Sequence, residues 1–412
     1  MYVESVWNLD GTPIPHVEGK LHYPLAQYLI WLRKTPMKKG GYREPTTICN
    51  VYKHLKIWFD FCADQSVSFD MVTYEFHLQS LKKALVSNGV QPESINGYYR
   101  SWRGFYEWCE EQGISAVMSF PPKIEGRAQF FGQSRNFNNR STGRAVQIDP
   151  GLEAVTTILD YKDCVLNMEE YARFAGFLDE VDPVYSSISY MMVTTGLRIG
   201  GVMQLPLGSN KLNPRWLRYP ELEADGALIQ KLRYLPKGNK RVLDCIVPAA
   251  ALKKLHNEYV IGHRKDRIKI FSERFRSQTA PLWLTATGKP VEKNDIWAAF
   301  KQASEKFGRR VVPHHMRHTY ATYIVYNYFK AHGLTPNLAY AHDIHEALRA
   351  QLGHSDFEVT KRYIRTVIRT HTDVWLPKLT PHLEQAVNRE MPSEVLAAVI
   401  DFFEPHSVKE KD

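Results

Sequence analysis

Apolar residues recur at helical spacing through most of the first 115 positions. After Pro45, Ile48, Tyr52, Leu55, Phe59 and Cys62 share one face, and after Pro92, Ile95, Tyr99, Trp102, Tyr106 and Cys109 do the same. Steps of three and four residues make a continuous stripe only on an α-helix, and a proline just inside the start is compatible with helix initiation. Phe76, Leu78, Leu81 and Leu85 predict another helix that stops near Gly89. Residues 1–20 carry no sustained period and are expected as a tail, which leaves a helical domain over 21–117.

The pattern breaks over 118–160. The stretch FPPKIEGRAQFFGQSRNFNNRSTGR holds Pro, Gly, Asn and Ser and no steady period, so it predicts a linker. A second domain is expected over 161–390. Asn167 and Glu170 stand three apart as a capping box, with Leu166 and Tyr171 placed as a hydrophobic staple, so a helix through Phe174 and Leu178 follows. The helix in SSISYMMVTTG ends at Gly196. ALIQKLRYLP and RVLDCIVP read as two strands around the turn Lys237-Gly238-Asn239-Lys240, and APLWLT as a third strand. Helices return at 294–307 and 315–331. Over 391–412, Val395, Leu396, Val399, Ile400 and Phe403 form one stripe, a helix that packs on its own domain or docks on a neighbouring protomer.

Composition narrows the class. A chain of 412 residues with 44% apolar residues exceeds one ordinary domain. A net charge of +9 and a pI near 9.1 suit a polyanionic partner without requiring one. Five scattered cysteines form no CxxC pair, which argues against a disulfide framework or a cysteine zinc site. Cys62 and Cys109 lie on apolar faces as small buried groups. No signal-peptide pattern opens the chain and no apolar run is long enough to span a bilayer, so a reduced, cytoplasmic protein with no membrane partner is expected. Basic side chains on the remaining helix faces, Lys53, Lys56, Arg100 and Arg103, and in the linker, Arg127, Arg135, Arg140 and Arg144, are candidate phosphate contacts or a plain solvated surface.

Five segments of the second domain carry chemistry: Thr195-Gly196-Leu197-Arg198-Ile199, the turn with Lys237, Pro313-His314-His315-Met316-Arg317-His318-Thr319, Leu352-Gly353-His354, and Tyr363 within KRYIR. A phenol has a pKa of about 10 and needs a proton acceptor or a cationic setting before it attacks a phosphodiester. The pentacoordinate state gathers negative charge on its non-bridging oxygens, and fixed guanidiniums meet that charge with paired hydrogen bonds. Arg198 and Arg317 are therefore read as a phosphate clamp. Lys361, Arg362 and Arg365 make the stretch around Tyr363 basic. His314 and His318 stand four apart, as zinc ligands on a helix can, but the metalloprotease pattern needs Glu where this chain has His315, and no metal is expected. There is no P-loop. If Tyr363 exchanges a phosphodiester for a phosphotyrosine, as the resemblance given next implies, bond energy is conserved, so no ATP and no cofactor are expected.

In order and spacing these segments resemble the tyrosine recombinase family of phage integrases and Xer-type recombinases: an Arg after Gly-Leu, a hairpin Lys, His-x-x-Arg, Leu-Gly-His, and a Tyr nine positions after that His. The resemblance covers residues from about 160 to 375, and less specifically the N-terminal helices, which look like the family's core-binding domain. It implies a mainly α fold with a small antiparallel β-sheet, a two-domain C-shaped clamp on double-stranded DNA, and Arg198, Lys237, His314, Arg317, His354 and Tyr363 as catalytic residues. Tyr363 would form a 3′-phosphotyrosine, Lys237 would protonate the leaving 5′ hydroxyl with Lys240 as competitor for that role or as a DNA contact, His314 would be proton acceptor or hydrogen-bond partner in the network of Tyr363 and the phosphate, and His354 would donate to a non-bridging oxygen. His315 and His318 occupy non-catalytic positions in the pattern and are read as structural. A homotetramer on two DNA sites, monomeric or weakly associated without DNA, accessory proteins, and a nucleoid-associated prokaryotic or phage protein follow from the same resemblance. Gly201 stands where the family often has a carboxylate, and the stretches before Lys237 and before His354 are longer than usual. A type IB topoisomerase-like enzyme and a non-catalytic DNA-binding regulator are the other readings.

Overall fold

The structure, a computed structural model, describes residues 3–17, 19–37, 40–126, 146–154, 161–236, 242–275, 279–354 and 357–372. The chain divides into two units, Met1–Thr157 and Ile158–Asp412. It is mainly α, with small antiparallel sheets only among the described residues.

The first unit opens with a three-stranded sheet, β1 (Val3–Trp7), β2 (Pro13–Val17) and β3 (Lys20–Leu21), where a tail was expected. Asp10-Gly11 turns the first hairpin, with Gly11 at φ +75°, and Val3 is buried. Helices α1 (Tyr23–Lys34), α2 (Pro45–Asp64), α3 (Gln79–Ser87) and α4 (Pro92–Glu111) follow, α3 continuing a π-helical turn over Tyr74–Leu78. The expected stripes of α2 and α4 are all buried, whereas Phe76 is exposed. Large rings fill this core, and most of their polar ends are satisfied: Trp58 Nε1 donates to Tyr106 Oη, which donates to the Phe69 carbonyl, and Trp102 Nε1 donates to the His54 carbonyl, whereas the buried Trp108 Nε1 has no partner. A short pair, β4 (Ile124–Gly126) with β5 (Val146–Ile148), lies within the stretch expected to be linker. Residues 149–153 of that stretch dock on α3 and α4: Lys82 Nζ donates to the Gly151 carbonyl, Asn96 brackets the Glu153 backbone, and Arg103 pairs with Asp149.

The second unit begins with α5 (Met168–Val181), where Asn167 and Glu170 form the expected capping box, and α6 (Pro183–Thr195), closed by Gly196. The short helices α7 (Ile199–Val202) and α8 (Tyr219–Asp225) lead into the hairpin of β6 (Ile229–Tyr234) and β7 (Leu243–Pro248). Beyond it come α9 (Ala249–Lys254), a π-helical stretch to His263, α10 (Arg264–Phe275), α11 (Lys293–Phe307), α12 (Pro313–Ala331), α13 (His342–Leu352) and α14 (Phe357–Thr372). The third expected strand is not formed. Only an isolated bridge joins Leu284 to Pro290, because side chains take the backbone groups a strand partner would use. Arg264 donates to the carbonyls of Ala280, Pro281 and Leu282, Arg267 donates to the Leu284 carbonyl, and Tyr259 Oη accepts from Leu284 N–H. The C-terminal stretch 391–412, expected as a helix, lies outside the described residues.

Candidate active site

Gly196 ends α6 in the left-handed region, at φ +71°. A side chain there would meet Tyr320 at 2.5 Å and Leu352 at 2.7 Å, so conformation and space both call for glycine. Gly196→Ala is expected to destabilise the second unit by about 2–4 kcal/mol, from left-handed strain and overpacking together, as read by urea unfolding. The turn buries Leu197 and delivers Arg198, exposed at the N-cap of α7. No hydrogen bond or ion pair engages the Arg198 guanidinium among the described residues.

Arg317 comes from the first turns of α12 and is 1% exposed. Its guanidinium donates to the Gly196 carbonyl at 2.9 Å, to the Leu352 carbonyl at 2.6 Å and to His354 Nε2 at 2.8 Å, and its buried Nε has no partner. No carboxylate pairs with it among the described residues. Burial, with the charge of Arg198 close by, lowers its pKa to about 10. A buried cation held by neutral acceptors is costly and attracts an anion. Gly201 belongs to the same account. A side chain there would press on Leu197 at 2.8 Å and on the Tyr234 ring at 3.3 Å, so the room for a carboxylate is filled by packing. Tyr234, buried at the end of β6, feels both Arg198 and Arg317.

Because an Arg can only donate, His354 Nε2 accepts, and its Nδ1–H is left to donate to Thr360 Oγ1 at 2.9 Å. The donor role to a phosphate expected of His354 thus requires Arg317 to release Nε2 and the ring to gain a proton. Tyr363, on α14, is 1% exposed, and burial raises its pKa against the opposing pull of Arg317 and Arg198. Its ring lies nearly parallel to that of His354, with centroids 6.1 Å apart. Its hydroxyl is 3.2 Å from Nδ1 of His318, the residue read as structural, whereas His314 packs edge-on against His318 at 4.5 Å. Tyr161 stacks on His318 at 3.9 Å and leans on the Tyr363 ring at 4.9 Å, and its backbone N–H donates to Thr366 Oγ1 on α14.

Burial and neighbouring cations depress the imidazoles. His314 falls to about 4, with Arg317 and Arg198 adding to burial, and His354 to about 3 by the same causes. Each folded pKa lies below the ordinary 6.5, so the unfolded chain binds more protons once pH drops below that value. The stability of the second unit is therefore expected to be full above pH about 6.5 and to decline as pH falls from there towards 4, read as the urea midpoint. A flat midpoint over that interval would rule out neutral buried histidines.

Other candidates are placed less uniformly. Gln351 ties α13 to the hairpin, exchanging hydrogen bonds with both the N–H and carbonyl of Ile246 and donating to the Thr195 carbonyl. The turn with Lys237 and Lys240 lies outside the described residues, as do Arg127, Arg135, Arg140 and Arg144. Lys53 and Arg100 are exposed; Lys56 pairs with Asp60, and Arg103 with Glu107 and Asp149. Lys361 and Arg365 both reach the buried Glu358, and Arg362 donates to Tyr161 Oη. Arg310, not singled out from the sequence, is exposed and close enough to act on His315. Among the described residues no group of His, Cys, Asp or Glu has the makings of a metal site, and no helix is long and apolar enough to cross a membrane.

No protein-family model and no curated protein sequence matches the chain. Among solved structures it is similar to the XerH site-specific recombinase bound to palindromic difH substrate in a post-cleavage complex, at 13% identity and TM-score 0.46 over 80% of this chain and 79% of that one. It is similar to a lambda integrase(75–356) dimer bound to a COC′ core site, at 11% identity and TM-score 0.49 over 84% of this chain and 95% of the other. It is also similar to the XerA recombinase, at 12% identity and TM-score 0.34 over 93% and 99%.

Proposed function

We propose that this chain is a site-specific tyrosine recombinase that cuts and rejoins DNA through a 3′-phosphotyrosine at Tyr363. The observation that carries the reading is the meeting, in one cationic neighbourhood, of Arg198, Arg317, His314, His354 and Tyr363, drawn from four separate segments. A phosphodiester arriving there meets a guanidinium on Arg198 that no described residue engages and a buried one on Arg317 that pairs with no carboxylate among the described residues.

In the proposed reaction Tyr363 Oη attacks phosphorus and loses its proton to an acceptor in the histidine cluster. The bond to the 5′ oxygen breaks, and that oxygen leaves as a hydroxyl with a proton from Lys237, which lies between β6 and β7 in the sequence. Arg198 and Arg317 hold the charge on the non-bridging oxygens, worth about 10²–10³ in rate for each donor. When Arg317 turns to the phosphate, His354 Nε2 is freed, and the anion favours its protonation and so its donor role. Attack by a 5′ hydroxyl on the phosphotyrosine reverses the step, and if that hydroxyl comes from a second DNA molecule the result is recombination. A homotetramer on two DNA sites is the assembly proposed for that exchange. Affinity rests on phosphate contacts and falls with salt.

The test incubates the full-length protein with a library of nicked duplexes of randomised sequence, recovers protein that stays attached to DNA after denaturation, and maps the attachment. Adduct at Tyr363 with preferred sequences, and joined products when two such duplexes are supplied, support the proposal. Relaxation of supercoiled DNA by the monomer with no joining would point to a topoisomerase-like enzyme. DNA binding without adduct on any duplex would make the chain a binding protein and sink the proposal.

A further inference from the structure

We propose that His318 is a positioning residue for Tyr363: its Nδ1 accepts the phenolic hydrogen bond and fixes the reacting oxygen beside the arginines. The inference rests on the recombinase reading and adds a residue to it. Nδ1 of His318 lies 3.2 Å from Tyr363 Oη, and both side chains are buried, at 6% and 1% exposure. The imidazole is gripped on several sides. Tyr161 stacks on it at 3.9 Å and 27°, His314 meets it edge-on at 4.5 Å and 85°, and the Tyr363 ring stands at 5.7 Å. Such a ring has little freedom to turn its acceptor away.

The proposed direction runs from phenol to imidazole. Arg317 also bears on the phenol, and a guanidinium can only donate, so towards Arg317 the phenol oxygen is an acceptor. With His318 carrying its hydrogen on Nε2, Nδ1 holds the lone pair and receives the phenolic proton. The imidazole keeps a lone pair to receive it, because burial and the charges of His314, His315, Arg317 and His354 oppose its protonation. The same surroundings make His318 a poor final holder of the proton, which is why positioning, rather than base catalysis, is the role assigned. Nothing else among the described hydrogen bonds holds the Tyr363 hydroxyl in place from the acceptor side. His314, one helical turn earlier on α12, supports the His318 ring instead.

Two measurements on the full-length protein test this. The first places 3-fluorotyrosine at position 363 and reads its ¹⁹F resonance without DNA. His318→Phe keeps an aromatic ring against Tyr161 but has no acceptor; His318→Asn offers an oxygen close to where Nδ1 lies. The Phe variant is expected to move the resonance, and the Asn variant to stay near wild type. The second reads single-turnover adduct formation on nicked duplexes selected by the wild-type protein. The Phe variant is expected to lose about a hundredfold, since an ångström of misplacement costs that much, with DNA binding unchanged, and the Asn variant to recover most of it. A role in packing alone would make Phe the milder change and Asn the worse one, and that order, or an unmoved resonance in both, would overturn the assignment. Should the Phe variant fail to fold, His318→Leu replaces it under the same criteria. If wild type yields no adduct on any duplex, the recombinase reading falls, while the ¹⁹F comparison still decides whether His318 holds the hydroxyl.

Discussion

Tyr363→Phe is expected to fold, to bind DNA as wild type does, and to form no covalent adduct with any nicked duplex. The substitution removes one oxygen and keeps the ring that packs against Tyr161 within the core of α12, α13 and α14. The lost contacts are the buried hydrogen bond to His318, worth on the order of 1 kcal/mol, and the interaction with Arg317, which keeps its bonds to two carbonyls and His354, so the fold should survive. Chemistry should not, because phenylalanine has no atom with which to bond phosphorus. The effect is therefore all or none in the adduct assay, against a small change in unfolding midpoint. Adduct that persists at wild-type levels would mean another nucleophile, and the remaining tyrosines around the pocket, Tyr161 and Tyr234, would be the first to test.

The second large effect is expected of Arg198→Ala. Arg198 is exposed and has no hydrogen-bond or ion-pair partner among the described residues, so its removal orphans none of them and should change stability by no more than about 0.5 kcal/mol. Cleavage should fall by about 10²–10³, the cost of removing one preorganised donor from a transition state. Binding should change far less, because it is shared over many phosphates. Arg198→Lys restores the charge without the planar fork and should recover only part of the loss. Equal loss of binding and cleavage in the Ala variant would make Arg198 a docking residue. Arg317 is the less clean choice for this experiment: its guanidinium fastens the Gly196 and Leu352 carbonyls, so its loss would disturb the fold as well as the chemistry.

What could be read from the chain divides along physical lines. Local signals were sufficient for helices with a stripe and a marked start: α2, α4 and α5 appear where Pro45, Pro92 and the Asn167–Glu170 box predict them. The mainly α fold with its small antiparallel hairpin was likewise legible. The missed N-terminal sheet had a local signal too, Asp10-Gly11 between VESVW and PIPHV, but its strands are only five residues long and their alternation is weak. The failure at APLWLT is of another kind. Its backbone is satisfied by Arg264, Arg267 and Tyr259, which arrive from a neighbouring helix, and no period within the segment announces them.

The site shows the same division. Motif spacing singled out Arg198, Arg317, His354 and Tyr363, and these side chains do share a neighbourhood. The spacing could not say which histidine touches the phenol. His314 and His318 lie one turn apart on α12, and the choice between them is made by Tyr161, a residue over 150 positions away that stacks on one and not the other. Nor could it say that a tyrosine ring would occupy the space above Gly201.

The carbonyl cradle around Arg317 has a consequence for how the folded protein stands without its partner. Two remote stretches of chain converge to hide a positive charge, and among the described residues nothing negative pairs with it. The native state is in that sense incomplete by one anion, and whatever phosphate settles there finishes the structure as well as meeting the reagent. If the chain binds DNA as proposed, substrate and scaffold are energetically one system: resistance to unfolding would rise as phosphate occupies the Arg317 site, and the DNA backbone would act as a missing piece of the interior.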